Sequence, residues 1–239
     1  NSIGLQNPGI DAFIREELPQ YQAVPVPIIV SFSGETIETF GENLQKLEAA
    51  EQAHLIAAYE INVSCPNVKE GGIAFGTSAA TVEKLTASLK KISQKPLIVK
   101  LSPNVTQISD IAKAAENGGA DALSMINTLL GMRIDIRSRR PKLGNLMGGY
   151  SGKAVLPVGV RAVFQCAQTV QIPIVGLGGI DCADDVVEYF LAGASAVQVG
   201  TAFFVDPQVS QKIYHDLQEF LKNENIEHIK QLTGKIKWQ

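Results

Sequence analysis

Short apolar runs alternate with longer amphipathic stretches along the chain. Short runs bounded by glycine, proline or polar residues are typical of buried strands, whereas apolar residues that recur every three or four positions beside charged ones predict helices. The pattern predicts strands over residues 24–32, 58–63, 96–101, 122–126, 172–177 and 196–199. It predicts helices over residues 36–53, 78–93, 105–117, 181–192 and 207–222.

Repeated strand–helix units predict an α/β protein with a parallel sheet, either doubly wound or closed as a (β/α)8 barrel. A polar residue or a glycine stands at or just past the end of each predicted strand: Ser31, Asn62, Lys100, Asn127, Gly178 and Gly200. A doubly wound sheet concentrates such residues near one switch point, whereas the strand ends of a barrel converge on one face. The spread along the chain favours a (β/α)8 TIM barrel, and we expect one domain over residues 1–239.

The predicted units are two fewer than a complete barrel contains. At about 30 residues per unit, a full barrel would need roughly 60 residues more than the sequence provides. The sequence opens at Asn1 without an initiator methionine. We therefore expect the first two βα units of the barrel to be missing from the N-terminal side.

Composition excludes some classes of function. The formal net charge of −3 and the absence of a long basic run argue against a nucleic-acid surface. No apolar stretch of the sequence reaches the length of a membrane span. Three widely spaced cysteines, Cys65, Cys166 and Cys182, favour a reducing, cytoplasmic setting over a disulfide framework.

The segment 62–67, with the sequence Asn-Val-Ser-Cys-Pro-Asn, follows a predicted buried strand. Its thiol at Cys65 can serve as a base or nucleophile. The amides of Asn62 and Asn67 each offer a donor and an acceptor on one plane, which suits a ligand with amide or carboxylate edges. The end of this strand is therefore a candidate active site.

Two glycine-rich turns, residues 176–181 and 198–202, follow the last two predicted strands. Barrels often bind phosphate with the loops after strands seven and eight, where glycines let backbone N–H groups approach an anion. A single turn of this kind would be interpreted as a tight turn only, but the two together favour phosphate binding. Lys100, at the end of the third predicted strand, either reaches solvent or faces an anionic ligand such as a flavin near N1.

These residues resemble the dihydroorotate dehydrogenases, and in particular the soluble class 1 enzymes. The resemblance extends over essentially the whole chain and is carried by the segments 1–7, 62–67, 100–103, 126–128, 148–152, 178–180 and 200–201. The family consists of FMN-binding (β/α)8 barrels that oxidise dihydroorotate to orotate in pyrimidine biosynthesis. It therefore implies the same fold, cofactor and reaction for this chain.

The resemblance also assigns roles to matching positions. Cys65 is expected to be the catalytic base, which removes the C5 proton while hydride leaves C6 for flavin N5. With an unperturbed thiol pKa of about 8.5, activity should rise with pH. The expected substrate contacts are Asn1, Ser2, Ile3, Gly4, Leu5, Asn62, Asn67, Asn127 and Thr128. The expected flavin contacts are Ser31, Asn62, Lys100, Ile126, Gly152, Gly178, Gly179, Gly200 and Thr201, and no metal is expected.

Two segments bear on the electron acceptor. Residues 68–77 and 131–135 resemble the class 1B catalytic subunits, which form a homodimeric core and pass electrons to NAD through a separate iron–sulfur and FAD subunit. Three scattered cysteines cannot supply the four thiolates of such a cluster, so NAD linkage requires a partner. Three alternatives remain: a fumarate-linked class 1A enzyme, a related flavin barrel that reduces pyrimidine bases, and a non-catalytic flavin-binding barrel.

The chain departs from the family at two places. The family commonly has asparagine where Ser31 stands, which weakens that flavin contact. Relatives also carry a further lysine on the N-terminal strands that the sequence lacks. Among other polar groups, the cluster of Arg137, Arg139 and Arg140 is expected to form a solvated loop, and Cys166 and Cys182 are expected to have no redox role.

Overall fold

The structure is a computed structural model and describes residues 1–4, 6–64 and 75–237. All six predicted strands are present, although their bounds differ by a few residues. In chain order the strands are β1 Ile28–Phe32, β2 Ile56–Asn62, β3 Leu97–Leu101, β4 Ala122–Met125, β5 Leu129–Gly131, β6 Ile134–Asp135, β7 Arg140–Pro141, β8 Gly148–Tyr150, β9 Ile174–Leu177 and β10 Ala196–Gln198.

The helices follow the strands as the pattern predicts. They are α1 Ile10–Ala12, α2 Ile37–Ala49, α3 Ala79–Lys90, α4 Ile108–Asn117, α5 Leu156–Ala167, α6 Ala183–Ala192 and α7 Val209–Asn223. Irregular helical turns continue α1 as far as Ala23. In the described part of the chain, no helix has both the length and the apolar character needed to cross a bilayer.

The order of the large sheet distinguishes the two predicted architectures. Its six strands lie in the order β1-β2-β3-β4-β9-β10, so each strand is adjacent to the one that precedes it in this series. The pairs β1–β2, β2–β3 and β9–β10 are parallel. A doubly wound sheet would reverse direction at a switch point, whereas a barrel keeps the sequential order. The strand order is therefore that of the predicted (β/α)8 barrel.

The chain forms two compact units. The first, which we call the N-terminal unit, contains Gly4–Leu101 and Asp110–Leu123. The second, the C-terminal unit, contains Asn1–Ile3, Ser102–Ser109 and Ser124–Gln239. Strand β4 is divided between them, after Leu123.

In the N-terminal unit, strand alternation separates an apolar face from a polar one. Val30 and Phe32 of β1 are buried, and the ring of Phe32 packs edge-on against Tyr59 of β2 and at a tilt against Phe40 of α2. Because successive residues of a strand point to opposite faces, Ser31 between them faces the other side. The helices thus cover the apolar face and leave polar side chains on the opposite face.

Tyr189 of α6 lies at the centre of the C-terminal unit and is fully buried. A Cβ atom at Gly159 of α5 would lie 1.9 Å from its hydroxyl oxygen, and one at Gly176 of β9 would lie 2.3 Å from its Cδ1. Both positions therefore require glycine, because any side chain would overlap the tyrosine.

The predicted bounds of some elements are wrong in ways that local chemistry explains. Residues 24–27 are not part of β1, because Pro25 and Pro27 lack the N–H groups that a sheet ladder needs. Helix α2 starts at Ile37, since Thr36 caps it: its hydroxyl accepts the N–H of Thr39 at 3.1 Å, while its own N–H donates to the Thr39 hydroxyl.

Sequence reasoning missed several elements. The sequence around Cys166 has a helical pattern, but the start of helix α5 was not predicted, because Pro157 and Gly159 disguise it, although proline is compatible with the first helical turn. The pairs β5–β8 and β6–β7 are antiparallel and were not predicted. Strands β5 and β8 are distant in sequence, and β6 and β7 are only two residues long each. The arginine cluster is exposed as predicted: Arg137 and Arg139 lie in the turn between β6 and β7, and Arg140 lies on β7 opposite Asp135.

Candidate active site

A buried carboxylate lies on the polar face of the N-terminal unit. Glu60 of β2 is 3% exposed and is in register with Ser31 of β1. The Ser31 hydroxyl donates to Glu60 Oε1 at 3.0 Å, and the Lys100 Nζ lies 3.5 Å from the same oxygen. The structure thus brings together Ser31 and Lys100, two of the predicted flavin contacts, through a residue that sequence reasoning missed.

The signal for Glu60 was present in the sequence. It is a charged residue inside an otherwise apolar run. It precedes Asn62 by two residues, so both side chains face the same side of β2. A buried charge requires a partner, because desolvation of an ionised carboxylate is costly.

Asn62 and Lys100 are register partners at the carboxyl ends of β2 and β3. The backbone N–H of Ser64 donates to Asn62 Oδ1 at 3.1 Å, which fixes the plane of the amide group. An amide and an ammonium group therefore lie side by side at the edge where a barrel binds its ligands.

A cavity of about 400 Å³ lies within the N-terminal unit. Ser31 and Asn62 line it together with Asn7, Phe13 and Asn43. The Asn43 Nδ2 donates to the carbonyl oxygen of Ser33 at 3.0 Å, which holds the end of β1 against α2. Two predicted flavin contacts thus border one cavity.

Some predicted site residues lie elsewhere. Gly4 has a φ of +80° and is exposed, with no atom within 4 Å of the position a Cβ would take. Leu5, Cys65 and Asn67 lie outside the described residues.

In the C-terminal unit, residues 1–3 lie beside β8. The Asn1 nitrogen donates to the Gly149 carbonyl at 2.9 Å, and the Gly149 N–H donates to the Asn1 carbonyl at 2.8 Å. A Cβ at Gly148 would lie 2.2 Å from the Asn1 carbonyl oxygen, so this close approach requires glycine. The Asn145 side chain donates to the Ser2 carbonyl at 3.2 Å, while Ile3 is 72% exposed.

Asn127 and Thr128 are held on the other side of the same glycine pair. The Thr128 N–H donates to Asn127 Oδ1 at 2.8 Å, and a Cβ at Gly149 would lie 2.7 Å from the Thr128 hydroxyl oxygen. Gly148 and Gly149 therefore contact both Asn1 and Thr128, two of the predicted substrate contacts.

Asn104 fixes this region and was not predicted as a site residue. Its Nδ2 donates to the Thr128 carbonyl at 3.0 Å, and its Oδ1 accepts the Leu130 N–H at 2.9 Å. Such a paired amide contact holds the backbone that follows Asn127. Its place directly after the segment 100–103 is the only sequence signal that could have indicated it.

The two glycine-rich turns contact one segment, residues 151–156. Gly178 and Gly179 have φ values of +116° and +79°, and a Cβ at Gly179 would lie 2.7 Å from the Leu156 nitrogen. On the side of the second turn, the Thr201 hydroxyl donates to the Ser151 hydroxyl at 3.0 Å, and a Cβ at Gly152, whose φ is +91°, would lie 3.7 Å from Thr201 Cγ2.

Ile126 joins the first of these turns. Its N–H donates to the Leu177 carbonyl at 2.9 Å, and its side chain lies 3.5 Å from where a Cβ at Gly178 would stand. The Tyr189 hydroxyl donates to the carbonyls of Leu177 and Gly178, at 3.0 and 2.8 Å. Burial raises the pKa of Tyr189, so the hydroxyl stays protonated and keeps this donor role.

An ion pair holds the start of α6. Asp185, which is 3% exposed, accepts the N–H groups of Asp181 and Cys182 at 2.9 and 3.2 Å. The Lys153 ammonium donates to Asp185 at 2.5 Å and to Asp181 at 2.6 Å. Burial alone would raise the pKa of Asp185, but these hydrogen bonds outweigh it and lower the pKa below its ordinary value.

Asp185 therefore binds the N–H groups of the two residues that precede α6, Asp181 and Cys182. Lys153 itself has a raised pKa, since the two carboxylates outweigh the opposing effect of burial.

Two groups among the described residues have ligand atoms close enough for a metal ion. In the first, Asp181, Cys182 and Asp185, the Lys153 ammonium binds both carboxylates and takes the place of a cation. The second, His215, Asp216 and Glu219, is fully exposed on α7.

The two described cysteines are protonated thiols. Cys166 is fully buried in α5, and burial raises its pKa to about 12. Burial also raises the pKa of Cys182, although Lys153 lies 3.8 Å from its sulfur. That neither residue has a redox role stays a prediction.

Comparison with known proteins places these features in a family. Residues 1–221 match the sequence profile described as dihydroorotate dehydrogenase. This chain belongs to the dihydroorotate dehydrogenase family.

Similar members of the family are bacterial. The "Dihydroorotate dehydrogenase B (NAD(+)), catalytic subunit" of Geotalea uraniireducens is 49% identical over 236 residues, which cover 99% of this chain and 76% of that protein. The protein with the same name from Geobacillus kaustophilus is 52% identical over 235 residues, covering 98% of this chain and 74% of the relative.

A solved dihydroorotate dehydrogenase also has this fold. The crystal structure of DHODH from Eimeria tenella in complex with ferulenol matches with a TM-score of 0.78 at 20% identity, over 98% of this chain and 70% of that one. At this identity the match bears on the fold alone. Together with the strand order, it confirms the predicted TIM-barrel class.

Proposed function

We propose that this chain oxidises dihydroorotate to orotate in pyrimidine biosynthesis, with FMN as the hydride acceptor. The observation that carries the proposal is the pairing of Asn62 and Lys100 at the ends of adjacent strands, in a chain about half identical to named dihydroorotate dehydrogenases. An amide beside a cation suits both a pyrimidine and the electron-rich edge of a reduced flavin.

FMN fits the residues that are present. In the N-terminal unit, Ser31, Asn62 and Lys100 offer a hydroxyl, an amide and a cation for the flavin ring. In the C-terminal unit, the turns at Gly178–Gly179 and Gly200–Thr201 would supply backbone N–H donors to the phosphate. A Cβ at Gly200 would meet nothing within 4 Å, so the backbone there is open to a ligand. Gly152 and Ile126 border these turns and complete the proposed set.

When bound, FMN supplies the hydride-accepting chemistry, and the chain's own residues hold the substrate. Asn62 and Asn127 would pair with the imide and carboxylate edges of dihydroorotate, because each has its amide plane fixed by a backbone N–H. Thr128, Asn67, Asn1 and the backbone of residues 2–5 would complete the pocket.

Cys65 would act as the base that removes the C5 proton. Its position in the sequence, three residues after Asn62 at the end of β2, supports this proposal, because barrels hold their catalytic residues at the carboxyl ends of strands. The assignment rests on the sequence motif, since the residue lies outside the described part of the chain.

For the electron acceptor we propose NAD, reached through a separate iron–sulfur and FAD subunit. The named relatives are NAD(+)-linked catalytic subunits, which favours this over fumarate as acceptor. The sequence has three cysteines, too few for an iron–sulfur cluster of its own. A homodimeric core and a cytoplasmic location are part of the same proposal.

A visible spectrum tests the function directly. The purified protein is expected to be yellow, and its flavin absorbance should bleach when dihydroorotate is added without oxygen. A protein that takes up no flavin on reconstitution contradicts the cofactor, and bleaching by dihydrouracil but not by dihydroorotate would indicate a reductase of pyrimidine bases instead.

A further inference from the structure

Glu60 is a buried charged group that the proposed reaction does not use. It is 3% exposed in the middle of β2, two residues before Asn62. An ionised carboxylate at such a position costs several kcal/mol of solvation unless charged and polar neighbours compensate. The side chain is therefore expected to have a specific electrostatic role.

Its neighbours belong to the proposed flavin site. Glu60 Oε1 accepts the Ser31 hydroxyl at 3.0 Å and lies 3.5 Å from the Lys100 ammonium. The Lys100 side chain is 20% exposed, so the pair is largely shielded from solvent. Since solvent screens such a pair only weakly, the charge of Glu60 acts strongly on Lys100.

We propose that Glu60 is a positioning residue that sets the reduction potential of the flavin by holding and partly offsetting the charge of Lys100. This inference rests on the proposed function, because it needs Lys100 to face the flavin. Reduction adds negative charge to the flavin, so a nearby cation raises the potential and a carboxylate beside that cation lowers it. With Lys100 and Glu60 paired, the flavin potential lies below the value that Lys100 alone would give and above the value without Lys100.

The variant Glu60→Gln tests the inference, because it keeps the shape of the side chain and removes its charge. The midpoint potential of the bound flavin, measured by anaerobic dye titration without substrate, should shift to a more positive value. Glu60→Asp retains the charge, so its flavin potential should lie close to the parent value. Glu48→Gln is the matched control. Glu48 lies on helix α2, where its carboxylate accepts the Gln94 N–H at 2.7 Å, and its replacement should leave the flavin potential at the parent value.

Equal potentials in the parent and in a flavin-loaded Glu60→Gln protein would overturn the inference, as would equal shifts for Gln and Asp. If the Glu60→Gln protein takes up no flavin, the variant Lys100→Gln tests the inference instead. Loss of the cation should move the flavin potential to a more negative value, and an unchanged potential would overturn the inference.

The proposed function fails separately. A parent protein that binds flavin but is not reduced by dihydroorotate contradicts the function while the potentials still test Glu60. A parent protein that binds no flavin contradicts both.

Discussion

At the scale of single residues, each of the two units contains polar side chains whose orientation is fixed by backbone groups or by charge. Asn62 and Asn127 each accept a nearby backbone N–H, and Asn104 holds the chain after Thr128. Such restraint lowers the entropy lost when a ligand binds, because the amide planes are already set. A ligand that binds at these residues would therefore meet amide groups whose planes are already set.

The role of Cys65 can be tested by substitution. Cys65→Ala should keep flavin and orotate binding but slow flavin reduction by dihydroorotate about 10²–10⁴-fold, because a general base acts only in the proton-transfer step. Anaerobic stopped-flow absorbance measures the rate. In the parent this rate should rise with pH towards an unperturbed thiol pKa of about 8.5.

Cys166→Ala and Cys182→Ala are the controls, since both thiols are protonated and lie outside the proposed pocket. Both should reduce their flavin at the parent rate. Reduction of the Cys65→Ala protein at the parent rate would show that another group is the base.

At the scale of elements, the Gly178–Gly179 turn is held from both sides. The Tyr189 hydroxyl binds the carbonyls that precede and form the turn, and Asp185 binds the N–H groups that follow it. Lys153 links the start of α6 to the segment that contacts the second glycine turn. The geometry proposed for phosphate binding therefore depends on α6 as much as on the glycines.

Asp185 should make stability depend on pH. Because its pKa is lowered in the folded protein, it stabilises the fold above the ordinary aspartate pKa of about 3.9, and this contribution is lost as the pH falls through the lower folded-state value. Asp185→Asn should lower the free energy of unfolding at pH 7 by about 1.5–3 kcal/mol, as for hydrogen bonds to a charged group. Urea unfolding from pH 7 to pH 3 measures both effects.

Asp184→Asn is the matched control, because Asp184 is the exposed neighbour in the same first turn. It should change stability by no more than about 0.3–1 kcal/mol, the usual effect of a charge near a helix end. If Asp185→Asn matched the parent in both stability and pH dependence, the ion pair would have no stabilising role.

At the scale of the whole molecule, the sequential strand order and the family relationship together define a barrel enzyme of the dihydroorotate dehydrogenase family. The sequence contains no Gly-x-Gly-x-x-Gly turn typical of a dinucleotide-binding fold. Transfer of electrons to NAD is therefore the step for which the proposed partner is needed.

The isolated chain should reduce artificial dyes with dihydroorotate but fail to reduce NAD. Adding an iron–sulfur and FAD subunit from the same source should restore NAD reduction. Steady-state assays with a dye, NAD and fumarate distinguish the alternatives: rapid turnover with fumarate and no partner would assign the chain to class 1A, and direct NAD reduction would contradict both subclasses.

Much of the architecture follows from local patterns. The six strands of the large sheet and five of the helices were predicted, because apolar periodicity is a property of neighbouring residues. Errors occurred where a residue type occurs both inside and outside helices. Proline and glycine usually break helices, but Pro157 lies in the first turn of α5, where proline is permitted, and Gly159 makes room for Tyr189.

The sequence by itself determined the class of fold, the family and the motifs of the candidate site. Only the tertiary structure decided which side chains meet: Glu60 with Lys100, Asn104 with Thr128, and Lys153 with Asp185. The physical reason is that periodicity is encoded within a few residues, whereas a contact between elements depends on strand register and packing. Those depend on the whole chain at once and leave no local signature in the sequence.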